Sequence, residues 1–271
     1  MDLCSYQHWR MAFDSVMDVD SAIRECHLLG ILNPIDPLIL RLVYSLLLFT
    51  AVLVSFWLMN RRRHSVLPAF QMRYLGVAAF VGSMLGSKAP FLLERGWYGW
   101  FDGTIWFLDG KTILGGIFGG YVAVEIAKWA LGIRAKTGDT FALPVAVAVC
   151  IGRLGCFVAG CCFGQPTTLP WGVAFPLAND PPNVLRHPNQ LYEFLFHFVW
   201  VIVLWRMESK RIFDGHRLKL YLMTYLSFRF CTEWLRPESR LFMGLTAYQY
   251  ACVVLFCMLG AQWILDGRSS E

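Results

Sequence analysis

Long apolar stretches, separated by short polar or basic segments, make up most of the chain. Seven of them approach or exceed the ~18 residues that a helix needs to cross roughly 30 Å of bilayer hydrocarbon. This pattern predicts an all-α polytopic membrane protein with seven transmembrane helices. The predicted spans cover residues 38–59, 74–93, 112–133, 141–159, 187–205, 220–235 and 246–265.

Basic residues at the ends of these stretches predict their orientation. The run 61–64 after the first span, Arg134 and Lys136 after the third, and the loop 206–219 are rich in Lys and Arg. Because cytoplasmic loops carry an excess of these residues, we predict that the N-terminus lies outside and the C-terminus in the cytoplasm.

Two regions follow from this topology. Residues 1–36 form a segment expected outside the cytoplasm or at the membrane interface, and residues 37–267 form the seven-helix transmembrane domain. The first segment lacks the basic and apolar regions of a signal peptide, so the first span is expected to act as its own insertion signal.

Composition agrees with a membrane protein. The chain is 56% hydrophobic and 16% charged, whereas charged residues make up about 25% of an ordinary soluble domain. The net charge of +5 is spread over the loops, so it reflects topology and not nucleic-acid binding.

Small residues predict one close helix contact. The third span contains the pairs Gly115/Gly119 and Gly116/Gly120 at GxxxG spacing, and the second span is also rich in small residues. Such spacing lets two helix backbones approach closely in a membrane.

Polar residues inside the later spans carry the candidate chemistry. Arg153 lies near the end of the fourth span, while Arg229, Glu233 and Arg236 are spaced to share one face of the sixth. An ionisable residue within a membrane span marks a functional site by default. The alternative is a purely structural role, in which Arg229 and Glu233 form a self-contained pair and Arg236 reaches to the membrane interface.

The fifth span adds its own polar face. Gln190 and Glu193 are three residues apart, and His187 precedes them. The three arginines and His187 would outnumber the two carboxylates, and guanidinium groups suit the planar recognition of phosphate. We therefore predict a phospholipid head-group pocket that opens to the outer leaflet.

Glycines and cysteines surround Arg153. Gly152, Gly155 and Gly164 would admit either a head group or a packed helix. Of nine cysteines, only Cys156, Cys161 and Cys162 form a cluster. Three interpretations stay open: a metal site with His187 as fourth ligand, a reactive thiol activated by Arg153, or packing and a disulfide on the outer face.

At these residues the sequence resembles the bacterial prolipoprotein diacylglyceryl transferase family. The similarity covers roughly residues 40–265, and the motifs occur in the family's order. Its most specific part is GRLG at 152–155 followed by HPNQLYE at 187–193. The other matching pieces are Asp109-Gly110, Gly115-Gly116, Trp171-Gly172 and the segment from Arg229 to Arg236.

The resemblance implies a seven-span enzyme of the bacterial plasma (inner) membrane, with its active site toward the outer leaflet. It implies that the diacylglyceryl group of phosphatidylglycerol, or a related anionic phospholipid, moves to the cysteine thiol of a lipobox-containing preprotein. Glycerol phosphate is released. Arg153 would hold the phosphate, and Arg229 would stabilise its developing charge and lower the thiol's pKa.

The chain departs from the family's pattern in three places. Leu114 stands where the family has a histidine before Gly-Gly, proposed as a base, and Cys156 stands where it has an asparagine after GRLG. The Trp-Tyr-Gly of the first span is represented only by Arg41 and Tyr44. Without that histidine, either the arginines lower the thiol's pKa enough, another residue acts as base, or the acceptor differs.

We therefore predict a diacylglyceryl transferase that uses no cofactor and no metal. The predicted catalytic residues are Arg153, Arg229, His187 and Glu193. The predicted substrate-binding residues are Gly115, Gly116, Gly152, Gly155, Cys156, Gly164, Gln190, Tyr192, Glu233 and Arg236. The alternative is a phospholipid or anion transporter or binding protein; a transporter is expected to contain repeated halves, and the sequence shows no internal repeat.

Overall fold

The computed structural model describes residues 37–61, 67–95, 112–175 and 184–268. Within these ranges the regular structure is helical, with isolated β-bridges and no strand. Short 3-10 helices, Glu233–Leu235 and Phe242–Gly244, precede the last helix. The predicted segment 1–36 lies outside the described residues. The described residues form seven α-helices, which are α1 Pro37–Arg61, α2 Ala69–Arg95, α3 Ile113–Ala130, α4 Gly138–Val158, α5 Asn189–Ser209, α6 Arg217–Thr232 and α7 Ala247–Arg268.

The helices match the predicted apolar stretches, and four are long and apolar enough to cross a membrane. α5 and α6 do not meet this criterion: α6 has only 16 residues, and α5 carries Glu193 and His197, whose side chains are buried inside the protein. The four long apolar helices make this the all-helical fold of a membrane protein. The four apolar segments are Ile39–Arg61, Ile113–Ala130, Gly138–Val158 and Ala247–Asp266.

Apolar side chains cover much of the outer surface. On α1, Leu42, Leu46, Phe49, Leu53 and Phe56 are all exposed. A continuous apolar face of this kind is unfavourable in water and marks contact with another apolar phase. It fits contact with lipid chains.

α2 and α3 pack backbone to backbone along a glycine seam. A Cβ added at Gly86 would collide with the Gly115 carbonyl oxygen, and one added at Gly119 would collide with the Gly82 carbonyl oxygen. Only glycine permits this approach. The close contact predicted from the GxxxG spacing is confirmed.

Polar contacts gather several helix ends at one end of the bundle. Asp139, in the first turn of α4, accepts hydrogen bonds from the backbone N–H groups of Gly215 at 2.5 Å and Arg217 at 2.9 Å. Lys219 of α6 pairs with Asp266 near the end of α7. The end of α4 and the start of α5 therefore lie at the opposite end, together with the end of α6 and the start of α7.

A cavity of about 330 Å³ separates the α2–α3 pair from α4 and α6. Its walls are largely apolar, with small residues on the α2–α3 side. Among the residues that line it are Ser83, Gly116, Gly120, Phe141, Val145 and Leu222.

Candidate active site

The candidate site lies where α4 ends, α5 begins and α6 ends. Arg153 on α4, Glu193 on α5 and Arg229 on α6 are each at most 5% exposed. Charged side chains are rarely buried so deeply unless they are paired. Their partners therefore define the site.

The Glu193 carboxylate is the common partner of three arginines. One oxygen accepts hydrogen bonds from Arg229 Nη1 at 3.0 Å and Arg236 Nη2 at 2.8 Å. The other pairs with Arg153 and accepts from the Tyr225 hydroxyl at 3.3 Å. Because hydrogen bonds between full charges are strong and directional, this carboxylate fixes the arginines around one point.

Arg236 is part of this cluster. Its side chain is buried and bonded to Glu193, so the alternative in which it reaches out to the membrane interface is wrong. The cluster therefore contains all three arginines singled out in the sequence.

Glu233 supplies the second carboxylate. It pairs with Arg229 at 2.7 Å and accepts a hydrogen bond from the Thr246 hydroxyl at 3.1 Å. Thr246 and Gln249 form a capping box that starts α7, with bonds of 2.9 and 3.3 Å. Arg229 and Glu233 do pair, but the alternative of a self-contained pair is wrong because Arg229 also binds Glu193.

The cluster carries an excess of positive charge. Its three guanidinium groups face two carboxylates, which leaves one positive charge uncompensated within the cluster. In the described part of the chain, Nε of Arg153 and Nε of Arg236 are buried without a hydrogen-bond partner. Buried donors normally have acceptors. An anion with several oxygens, such as a phosphate, would satisfy both the charge and the donors.

A stack of buried polar aromatic residues continues inward from Glu193. His197 is 0% exposed, and its Nδ1 lies 2.8 Å from the Tyr221 hydroxyl. Its ring centroid lies 4.8 Å from that of Tyr225. These residues were not predicted from the sequence, although a signal was present. His197 follows Glu193, and Tyr225 precedes Arg229, by the four residues that place two side chains on one helix face.

The way α4 ends gathers the three cysteines. Gly160 has φ +65°, its N–H donates to the Phe157 carbonyl at 3.1 Å, and the Cys161 N–H donates to the Cys156 carbonyl at 3.1 Å. This Schellman turn folds the chain back over the helix end. The thiols of Cys156, Cys161 and Cys162 consequently lie within 4.8 Å of one another, and all three are free.

The loop thiols differ in acidity. Hydrogen bonds with Cys156 and Cys161 lower the pKa of the Cys162 thiol well below its usual value, and the positive charges of Arg153 and Arg236 add to this effect. The pKa of Cys161 is raised because its thiol is engaged with the thiols of Cys156 and Cys162. Cys162 is therefore the loop thiol that most readily exists as a thiolate.

Residues of the HPNQLYE motif form hydrogen bonds in two different parts of the site. Gln190 is fully buried and donates to the Cys161 carbonyl at 2.7 Å. His187 Nδ1 lies 3.2 Å from the Tyr192 hydroxyl, which accepts from Trp171 Nε1 at 2.8 Å. Among the described contacts, His187 thus belongs to this outer cluster and not to the arginine cluster.

The glycines beside Arg153 also divide. A Cβ at Gly155 would lie 3.2 Å from the Tyr44 ring, and one at Gly164 would lie 2.6 Å from the Leu235 carbonyl oxygen. These two glycines permit close packing of protein against protein. Among the described residues, a Cβ at Gly152 would meet no atom within 4 Å, so Gly152 is the least closely packed of the three.

A sequence model described as "Prolipoprotein diacylglyceryl transferase" matches residues 32–265. The chain belongs to the prolipoprotein diacylglyceryl transferase family. The family expected from the GRLG and HPNQLYE motifs is thus confirmed, and it is a family of enzymes.

Full-length relatives support this membership. The chain is 32% identical to a phosphatidylglycerol–prolipoprotein diacylglyceryl transferase of Chlorobaculum tepidum, over 87% of this chain and 89% of the relative. Identity to the protein of the same name in Nitratidesulfovibrio vulgaris is 31%, over 82% and 88% of the two chains. For that of Photobacterium profundum it is 32%, over 76% and 83%.

The departures from the prolipoprotein diacylglyceryl transferase pattern lie close to the site. Leu114 is buried and lines the same small apolar cavity as Tyr225, the hydroxyl partner of Glu193. Of the predicted substrate-binding glycines of α3, Gly115 lies in the contact with α2, and Gly116 lines the large cavity.

Proposed function

We propose that this protein transfers the diacylglyceryl group of phosphatidylglycerol to the cysteine thiol of a lipobox-containing preprotein. Family membership and the names of the relatives support this function. The structural observation that carries it is the buried cluster of three arginines around Glu193, with its excess charge and its free N–H donors.

The phosphate of the lipid head group is assigned to this cluster. Arg153 and Arg236 offer their free Nε–H groups to its oxygens. Arg229 is held by both carboxylates and stabilises the charge that grows on the departing phosphate. Groups fixed in place before the reaction stabilise such charge most effectively, because they need no reorganisation.

The acyl chains are assigned to the cavity between the α2–α3 pair and α4–α6. Its volume of about 330 Å³ lies within the range of small-molecule sites. Its apolar walls favour hydrocarbon, and the glycines and serines of α2 and α3 leave the room for it.

The reaction exchanges one bond at the phosphate-bearing carbon of the diacylated glycerol. The deprotonated thiol sulfur of the preprotein forms a bond to this carbon, the carbon–oxygen bond to the phosphate breaks, and glycerol phosphate leaves with the bonding electrons. The thiol proton passes to water. In this scheme Glu193 is a positioning residue, because both of its oxygens already accept hydrogen bonds from arginine.

We further propose that all seven helices cross the bacterial plasma membrane, with the N-terminus outside and the C-terminus in the cytoplasm. The basic residues that surround Asp139 and Asp266 support this orientation, since cytoplasmic ends are rich in Lys and Arg. The arginine cluster, at the other end of the bundle, then faces the outer leaflet.

The test uses purified protein in phosphatidylglycerol vesicles with a lipobox peptide. We expect a peptide that has gained a thioether-linked diacylglyceryl group, together with free glycerol phosphate, both measured by mass spectrometry. Vesicles of phosphatidylethanolamine and a peptide with serine in place of cysteine are the controls. Lipid movement between leaflets without any product would contradict the enzyme and support the transporter, whereas modification of another thiol would change only the acceptor.

A further inference from the structure

The three cysteines at the end of α4 have the arrangement of a metal site. Their thiols lie within 4.8 Å of one another. Three sulfurs bound to one Zn²⁺ lie about 3.8 Å apart, given a Zn–S distance of about 2.3 Å. To bind one ion the sulfurs would move together by up to about 1 Å, and all three are free of disulfides.

The loop that carries the thiols has a conformation fixed by hydrogen bonds. The Schellman turn bonds Cys161 to Cys156, the buried Gln190 amide holds the Cys161 carbonyl at 2.7 Å, and Cys162 adopts φ +65°, a conformation that non-glycine residues rarely occupy. Unusual backbone conformations persist only where the surroundings impose them, and they cluster at ligand and active sites.

The thiols lie beside the arginine cluster. Arg153 is one turn before Cys156 on α4, and Gln190, which holds the Cys161 carbonyl, is one turn before Glu193 on α5. Three thiolates with one divalent cation carry a net charge of −1, next to a cluster with an excess of positive charge. A soft divalent ion therefore suits both the ligands and the surrounding field.

Among the described residues, the cluster supplies three ligands and no fourth. His187, the fourth ligand considered from the sequence, instead contacts Tyr192. Closed structural zinc sites have four protein ligands, whereas catalytic zinc sites have three and keep one position open for water or substrate. The arrangement thus resembles the catalytic kind.

An open metal position answers a chemical need of the proposed reaction. The attacking thiol must lose its proton, yet Glu193 is occupied by arginines. A thiol that coordinates a metal ion is deprotonated outright.

We propose that Cys156, Cys161 and Cys162 bind Zn²⁺, or a similarly soft divalent ion, and that the open fourth position binds the thiol of the acceptor cysteine and activates it. This inference rests on the proposed function. When the acceptor thiol binds, its proton is released to water; the sulfur then forms the bond to the glycerol carbon as the carbon–phosphate oxygen bond breaks. No oxidant or reductant takes part.

Metal binding is tested first, without reference to activity. The protein is purified in detergent with reductant, stripped with a chelator and titrated with Co²⁺, whose bonds to thiolates give charge-transfer absorption in the near ultraviolet. We expect one ion per chain and competition by Zn²⁺. Cys156→Ser, Cys161→Ser and Cys162→Ser should each abolish the absorption, whereas Cys257→Ser, which changes an exposed cysteine of α7, should retain it. Helical circular dichroism and gel filtration show that each variant is folded.

Three results would overturn the metal site. They are the lack of stoichiometric Co²⁺ binding by the reduced wild-type protein, full binding by the cluster variants, and a disulfide between two of the three cluster cysteines in protein purified without chelator or reductant. Peptide mapping after alkylation detects that disulfide.

Activity then tests the activation step. Transfer in the phosphatidylglycerol vesicle assay should fall at least 100-fold after metal removal and recover with Zn²⁺. Full transfer by metal-free protein would overturn the activation. Stoichiometric metal binding without transfer under any condition would instead contradict the proposed function and leave the metal site standing.

Discussion

Arg153 at the end of α4 and Glu193 near the start of α5 form a buried ion pair, although they lie 40 residues apart in the chain. The same carboxylate binds Arg229 near the end of α6 and Arg236, which follows the 3-10 helix Glu233–Leu235. One acidic side chain therefore ties three elements together and orients every arginine of the site. Glu193 therefore contributes to both stability and function, because its carboxylate holds the helices together and also orients the arginines of the proposed phosphate site.

Replacement of Arg153 should abolish transfer. Arg153→Ala removes a fixed positive group from the proposed phosphate site, and loss of one such group typically lowers the rate by about 10²–10³-fold. Arg153→Lys should recover little, because an ammonium group lacks the planar fork of guanidinium. Product formation in phosphatidylglycerol vesicles measures both variants.

Arg240→Lys is the matched control for Arg153, because it makes the same change at an exposed arginine. It should transfer at the wild-type rate. Wild-type transfer by Arg153→Ala would remove this residue from the mechanism.

Glu193→Gln should destabilise the fold. Removing the charge leaves three buried arginines with one carboxylate, and breaking a buried ion pair from one side costs about 3–5 kcal/mol. A lowered melting temperature in detergent is the measurement. The double variant Arg153→Met/Glu193→Met should lose less melting temperature than the sum of the two single Met variants, because its second change removes a side chain whose partner the first has already removed. Strict additivity would show that the two residues are not coupled.

The glycine seam gives a prediction about packing. Gly119→Ala places a methyl group against the Gly82 carbonyl oxygen, and such overpacking typically costs about 1–3 kcal/mol. Gly260→Ala in α7 is the control, because its nearest contact would be an ordinary 3.9 Å. It should leave the melting temperature unchanged or raise it, as alanine is the better helix former. Equal melting temperatures for the two variants would contradict the seam.

Cys162 should react differently from an ordinary thiol as pH falls. A lowered pKa keeps this thiol ionised at pH values where an ordinary thiol, with a pKa of about 8.5, slows about tenfold per unit. Alkylation of the metal-free protein at Cys162 should therefore stay nearly constant from about pH 8 to pH 6. Cys161, whose pKa is raised, should react slowly despite its exposure, and peptide mapping separates the two. Faster labelling of Cys161 would contradict the described acidity.

Leu114→His should restore transfer to the metal-free protein. This position lines a cavity with Tyr225, and an imidazole there would supply the base that the family resemblance implies. Leu114→Gln serves as the control, because it is polar but cannot accept the proton as a base. Metal-free transfer should rise with histidine only; no gain over the glutamine variant would separate this position from proton removal.

The polar residues inside the apolar stretches allowed the charged residues of the site and the family to be predicted from the sequence. Each of Arg153, Glu193 and Arg229 is unfavourable in a membrane span unless a partner or a function compensates it. Their order along the chain, with GRLG before HPNQLYE, further indicated the family. The helices of the described residues followed from the apolar stretches, because backbone groups in lipid must bond within their own segment.

Helical spacing could not show which partner each group takes. From its spacing, Arg236 could lie at the membrane interface or in the core. In the structure its side chain, just after the 3-10 helix Glu233–Leu235, pairs with the buried Glu193. Likewise, His187 belongs to an outer cluster with Tyr192, and the buried His197 stands nearer to the charged centre. Neighbours in the sequence do not decide such choices, since they depend on how helices far apart in the chain face each other.

The sequence by itself determined the apolar helices, the family and the identity of the charged residues, because these depend on local composition and on ordered motifs. Only the tertiary structure decided that Glu193 binds three arginines and that the Schellman turn brings Cys161 and Cys162 over Cys156. The physical reason is range. Burial in lipid acts on each stretch separately, whereas ion pairs and ligand sets require side chains within a few ångströms, and the packing of distant helix ends sets those distances.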